Sequence, residues 1–206
     1  MTASATVSLE TVPDITLHLP VPAGYGLVSR RTVSVDGERA ELTRHERIDG
    51  RNAGLGGEHF STVIDGGGRL KGFVRFDLAL TEGTLPSRDQ AREVALSFLE
   101  KLAPDLLASF EIRWIEPHDE KLRVTDEGGS ESLTLTGMKV KMLNTADGRW
   151  FWVIVGTDGA VAVFERDIVW ITLPGHRQTE KWLHDAWLAE KGLADKSLSE
   201  KAAATA

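Results

Sequence analysis

Glu165 and Asp167 stand two residues apart in a stretch of alternating apolar side chains, the spacing that puts two carboxylates on one side of a β-strand. On a regular strand over 161–171 they share the side of Val161, Val163 and Val169. Burial there would raise their pKa values and suit them to acid/base work or to holding a cation. A one-residue bulge near Arg166 gives the other reading: Ile168 and Trp170 turn inward, and the acids lie in solvent or pair with Arg166. His184 adds an imidazole, and Trp150 and Trp170 add flat apolar walls. Glu165, Asp167, His184, Trp150 and Trp170 therefore form the candidate ligand-binding set.

His176, Glu180 and His184 make a second constellation, four apart on an expected helix and so stacked along one face. Two imidazoles and a carboxylate suit a divalent metal. The two histidines, however, lie about 12 Å apart at a helical rise of 1.5 Å per residue, too far to share an ion without a further ligand. The triad is read as a solvated polar face, and no metal is assigned. The glycines at 54–57 and 66–68 read as turns, because no Gly-Lys-Ser/Thr follows them. A Gly-x-Ser-x-Gly nucleophile elbow is absent. His18, His45, His59 and His118 occur singly and are expected on the surface or in loops. No catalytic residue and no cofactor follow from the sequence.

The elements that must position these residues come in two similar sets. A strand at 60–65, a turn at 66–68, a strand at 70–80, Leu85-Pro86 and a helix from Ser87 are followed later by a strand at 150–155, a turn through Asp158-Gly159, a strand at 161–171, Leu173-Pro174 and a helix from about His176. Gly68 and Gly159, Phe73 and Phe164, and Arg75 and Arg166 keep one common offset. The expected fold is therefore α+β: two related antiparallel sheet-plus-helix units packed together, the first over 25–104 and the second over 105–193. Residues 1–24 read as an extended entry segment, with at best a short edge strand at 15–19, and 194–206 as a flexible tail.

Local patterns support the individual elements. In the strand from 70, Leu70, Val74 and Phe76 fall on one side while Lys71, Arg75 and Asp77 fall on the other, which implies one covered and one wet face. Ser87 and Gln90 have capping-box spacing, and Ala91, Val94, Ala95, Phe98, Leu99 and Leu102 recur at helical intervals. Between 133 and 143 the apolar phase switches across Thr136-Gly137, which points to a bulge or bend. Residues 150–155 are apolar without interruption, as in a strand buried on both faces. Five of the six tryptophans lie beyond residue 149, so the second half is expected to carry the larger aromatic core.

Composition excludes whole classes of function. The formal charge is −7, and no Lys/Arg cluster is interleaved with aromatics along the chain, so neither nucleic acid nor an anionic membrane is an expected partner. With no cysteine there are no disulfides, thiolate nucleophiles or Cys-based zinc sites. No stretch approaches the roughly 20 apolar residues that span a bilayer. The chain as written is expected to be cytoplasmic and soluble, or an envelope or secreted protein if an export signal has been removed.

The order Ser87, Arg88, Asp89, Gln90, Ala91, Arg92, Glu93, Val94, Ala95 resembles the helix of PepSY-type domains, small α+β modules in which a Ser- or Thr-capped helix packs on an antiparallel sheet. Duplicated PepSY-like and cystatin-like units are similar in plan to the two sets of elements here. The resemblance covers about a third of the chain. Trp182 and Trp187 depart from it, standing where smaller residues are expected. It implies a binding or inhibitory module without catalytic residues.

Three functional readings follow. The leading one is a non-enzymatic binding module for a protein or peptide partner, using an exposed sheet edge or the loop 49–57. The alternative is a small-molecule-binding protein or enzyme with a pocket between sheet and helix in the second half. The third is a homo-oligomer with Trp182 or Trp187 at a subunit interface.

Overall fold

The computed structural model describes residues 15–126, 128–171, 173 and 175–193. Eight strands form one antiparallel sheet in the order β1-β2-β3-β4-β8-β7-β6-β5. The strands are β1 (Tyr25–Val35), β2 (Glu38–Arg47), β3 (His59–Asp65), β4 (Leu70–Phe76), β5 (Phe110–Asp126), β6 (Gly129–Asn144), β7 (Trp150–Val155) and β8 (Val161–Ile168). The architecture is α+β, but the expected two units are not separate. They share one continuous sheet, joined by the antiparallel pairing of β4 with β8.

That central pairing is symmetric. Phe73 lies opposite Phe164, with Gly72 opposite Glu165 and Val74 opposite Val163. Exchanging the two strands about Phe73 and Phe164 is a shift of 91 residues (164 minus 73), which carries Val74 onto Glu165. The same offset continues one strand outward: Ser61 pairs with Val74 as Trp152 pairs with Glu165. The hairpins over 61–74 and 152–165 thus share one pairing register, which the extra residue in β8 breaks beyond Glu165.

The helices do not repeat. The long helix α2 (Arg88–Leu102) begins as its sequence requires: Ser87 Oγ accepts from the Gln90 amide at 3.2 Å, and Gln90 Oε1 accepts from the Ser87 amide at 2.9 Å. Its Ala91, Ala95 and Leu99 are fully buried against Phe60 and Phe73 of the first half and against Val153 and Phe164 of the second. One helix therefore covers one face of both halves. The segment expected to be the second helix starts instead as a short strand, β10 (His176–Arg177), paired with β9 (Trp170–Ile171). Only α3 (Asp185–Glu190) is helical there, and residues 15–18 form a single helical turn, α1 (Ile15–His18), rather than an edge strand.

The opposite face is covered by two other devices. The hairpin of β5 and β6 is far longer than its neighbours, and its outer half arches back over the sheet, burying Leu122 and Leu135 against Trp152 and Ile154. No register break occurs at Gly137. A Cβ there would stand 2.4 Å from Ile154 Cγ2, so the glycine permits close approach rather than a bulge. The apolar phase of β6 switches because Leu135 faces the arch side while Met138, Val140 and Met142 face α2. The second device is the chain from β9 to α3, which seats Leu183 in the same core.

With both faces covered, β4 is buried on both sides and has no wet face. A register shift beside Ile64 turns Leu70 toward the α2 side, apart from Val74 and Phe76. Strand β7 is interior, with five of its six residues buried, matching its uninterrupted apolar run. The expected extended segment over 1–14, Pro174 and the expected tail over 194–206 lie outside the described residues.

Candidate functional site

The bulge near Arg166 is present. Trp150 lies opposite Ile168 while Trp152 lies opposite Glu165, so β8 carries one extra residue, and Asp167 takes a left-handed backbone with φ 59°. The two acids consequently part. Glu165 keeps the face away from α2 and is buried. Its carboxylate meets Arg177 at 2.7 Å and accepts from His184 Nε2 at 3.0 Å. Burial alone would raise its pKa, but the charges of His184 and Arg177 outweigh that and hold the carboxyl well below its usual range. Asp167 points elsewhere, paired with Lys71 and with Arg166, whose guanidinium also grips Asp105.

Of the expected set, Glu165 and His184 are therefore brought together. Trp150 and Trp170 flank Lys141 on another part of the face, and Trp170 is half exposed. The triad His176, Glu180 and His184 is dispersed because the helix is absent. His176 is exposed on β10, and Glu180 Oε2 accepts from the Asp36 amide. No group of three His, Asp or Glu side chains among the described residues is arranged to hold a metal ion.

A cavity of about 380 Å³ lies on the face opposite α2. Val74, Phe76 and Val163 form its floor, and the arched hairpin, from Asp119 to Arg123, forms its roof. The loop residues Leu55 and Gly56 close one side, and Leu183 to Ala189 close another. The roof is fastened to the loop by backbone and side chain. The Arg123 amide donates to Gly56 O at 2.7 Å, its guanidinium donates to Leu55 O and Ala53 O, and the Thr125 amide donates to Asn52 Oδ1. The loop folds tightly enough that a Cβ on Gly57 would fall 1.6 Å from Asn52 O.

His59 stands at the inner end of this cavity, 1% exposed and edge-on to Phe76. Its Nδ1 is 2.9 Å from Gly57 O. A carbonyl can only accept, so Nδ1 carries the proton and Nε2 presents a bare lone pair. Burial, reinforced by the charge of Arg44, lowers the pKa and keeps the ring neutral. Nε2 has no hydrogen-bond partner among the described residues. An unsatisfied buried acceptor of this kind costs about 1–3 kcal/mol.

The neighbouring charges are already matched. Arg44 donates to both oxygens of Asp185 at 2.8 and 3.1 Å, to Glu46 at 2.8 Å and to Gly54 O at 3.0 Å. Asp185 also accepts from the Gly56 amide at 2.6 Å, which ties α3 to the loop. Burial opposes ionisation of Asp185, but the charge of Arg44 and the hydrogen bonds from Arg44 and the Gly56 amide lower its pKa. Sequence reasoning placed His59 in a loop or on the surface, and Asp185 and Arg44 were not singled out. Alternation with Ser61 and Val63 gives His59 an inward phase, the one signal that bore on it; the Arg44–Asp185 contact spans 141 residues and leaves no local trace.

No protein-family model matches the chain, and no curated protein or solved structure matches it significantly.

Proposed function

We propose that this protein binds a small molecule in the cavity between the sheet and the arched β5–β6 hairpin, with an apolar body on Val74, Phe76, Val163 and Leu183 and a hydrogen-bond donor directed at His59 Nε2. The observation that carries this reading is the bare, buried Nε2 in a largely apolar cavity of ligand-sized volume. An O–H or N–H group on the ligand would satisfy that acceptor. His184 borders the same space, and Glu165, outside the cavity lining, accepts a hydrogen bond from its Nε2.

The partner-protein reading draws less support from the geometry. The loop 49–57, expected as a contact, is engaged by Arg123 and Asp185. The duplicated origin expected from the sequence is supported by the 91-residue offset across the central strands; under it, one descendant kept its helix and the other its arch.

Ala186 and Ala189 of α3 stand at the cavity mouth, and both are exposed. Ala186→Trp should therefore obstruct entry without disturbing the core. Thermal-shift screening of a fragment library should give stabilising fragments for the wild type that lose their effect in A186W. Equal responses from both proteins would place binding elsewhere and reject the cavity.

A further inference from the structure

The face opposite α2 continues past the cavity into a ladder of indoles and ammonium groups. Lys139 Nζ lies 4.2 Å from the centroid of Trp152, and Lys141 Nζ lies 4.3 Å from that of Trp150. Trp114 stands 5.9 Å from the first ammonium and 5.4 Å from the second, and Trp170 stands 5.7 Å from Lys141. The arrangement follows from period-two alternation on adjacent strands: Lys139 and Lys141 on β6, Trp150 and Trp152 on β7, and Trp114 beside Lys141 on β5. Basic and aromatic residues are thus interleaved in space although they are not interleaved along the chain.

Neither ammonium has an ion pair or a hydrogen bond among the described residues, and Lys139 is only 9% exposed. An ammonium offers three donors, and indole faces satisfy the charge but none of the donors. Desolvation brings the pKa of Lys139 down to about 8, only partly offset by the charges of Glu165 and Glu120. Glu165 itself is engaged by Arg177 and His184.

The symmetry of the sheet supplies a comparison within the molecule. Ser61 corresponds to Trp152, and their outer neighbours are Arg44 and Lys141. At Arg44 the cation is met by two carboxylates, Glu46 and Asp185. At the corresponding Lys141, among the described residues, there is none.

We propose that Lys139 and Lys141, framed by Trp114, Trp150 and the half-exposed Trp170, form a second binding site, for a small oxyanion-bearing molecule whose flat apolar body stacks on Trp170. The anion takes the place that Glu46 and Asp185 hold at Arg44. This site is separate from the His59 cavity and does not depend on it.

The test titrates 2-naphthoate, the neutral 2-naphthamide and inorganic phosphate into the protein, following lysine and tryptophan side-chain resonances by NMR. Naphthoate should bind saturably and shift Lys139 and Lys141 signals, naphthamide should bind more weakly by about tenfold or more, and phosphate should compete with naphthoate. Lys141→Met, verified as folded by its melting temperature, should weaken naphthoate by about tenfold, and Trp170→Ala, at an exposed position, should weaken naphthoate but not phosphate. Equal binding of naphthoate and naphthamide, unchanged affinity in K141M, failure of phosphate to compete, or loss of naphthoate binding in His59→Phe rather than in K141M would each overturn the proposal.

Discussion

Phe73 and Phe164 lie directly opposite one another where β4 meets β8, and the hydrogen-bond register of the inner strands is symmetric about them. Both rings are buried under α2, and Phe98 of that helix packs on each, at centroid distances of 5.6 and 5.1 Å. A single helix side chain thus clamps the joint between the halves. That helix covers the joint on one face, while on the other face the arched hairpin and the α3 segment leave the gap that His59 borders.

His59→Phe separates function from stability. The change removes the unsatisfied Nε2 and forfeits the Nδ1 bond to Gly57 O, so the two effects nearly cancel. Denaturant unfolding should place the variant within about 1 kcal/mol of wild type, while donor-bearing fragments no longer stabilise it. A loss of several kcal/mol would mean that the imidazole is structural.

Glu165→Gln should be strongly destabilising, by about 3–5 kcal/mol, since it leaves the buried Arg177 without its counter-charge. The pH dependence has a definite sign. The folded-state pKa of Glu165 lies below its unfolded value, so its contribution is complete above the ordinary carboxylate range and is lost as pH falls through the folded value. Melting temperatures between pH 6 and pH 2 should fall less steeply for the variant than for wild type.

The pKa of Lys139 is shifted in the same direction, but here the shift favours the neutral form. With a folded pKa of about 8, below its unfolded value, the native state releases a proton that the unfolded chain still holds. Stability should therefore rise with pH from about 8 to about 10.5, and Lys139→Met should abolish that rise. Urea unfolding of both proteins at pH 7.5 and pH 10 measures the difference.

Gly57→Ala tests the link between loop and site. The added methyl would collide with Asn52 O, which is backbone and cannot swing aside, so the loop must open. The expected result is a loss of several kcal/mol together with loss of fragment binding at His59. Gly50→Ala, where a Cβ meets nothing within 4 Å but φ is 76°, should cost only about 1 kcal/mol and leave binding intact.

Much of the secondary structure was legible because its signals are local. The Ser87–Gln90 capping box and the apolar run at β7 each act within a few residues. The matching offsets of Phe73 and Phe164 were legible too, but they did not disclose that these residues face each other and fuse the halves into one sheet. The second helix formed only over 185–190, because Trp182 and Leu183 ahead of it are served by loop packing: Leu183 is seated in the core, Trp182 Nε1 donates to Ser34 O, and its indole meets that of Trp187 edge to face. The cavity was invisible for a related reason. Its walls come from the loop at 55–56, the arch at 119–132 and the α3 segment, which only tertiary contacts unite. Glu165 and His184 were found together by residue type, whereas Trp150 and Trp170 proved to frame lysines that sequence order had kept apart.

The cavity account is tested most directly by 15N NMR of the His59 ring, recorded with and without phenol, a probe that pairs an apolar body with one O–H donor. The free protein should show a protonated Nδ1 and an unprotonated, unbonded Nε2, and phenol should shift the Nε2 resonance saturably while toluene does not. A ring protonated at Nε2 in the free protein, or an Nε2 signal indifferent to phenol, would contradict the account.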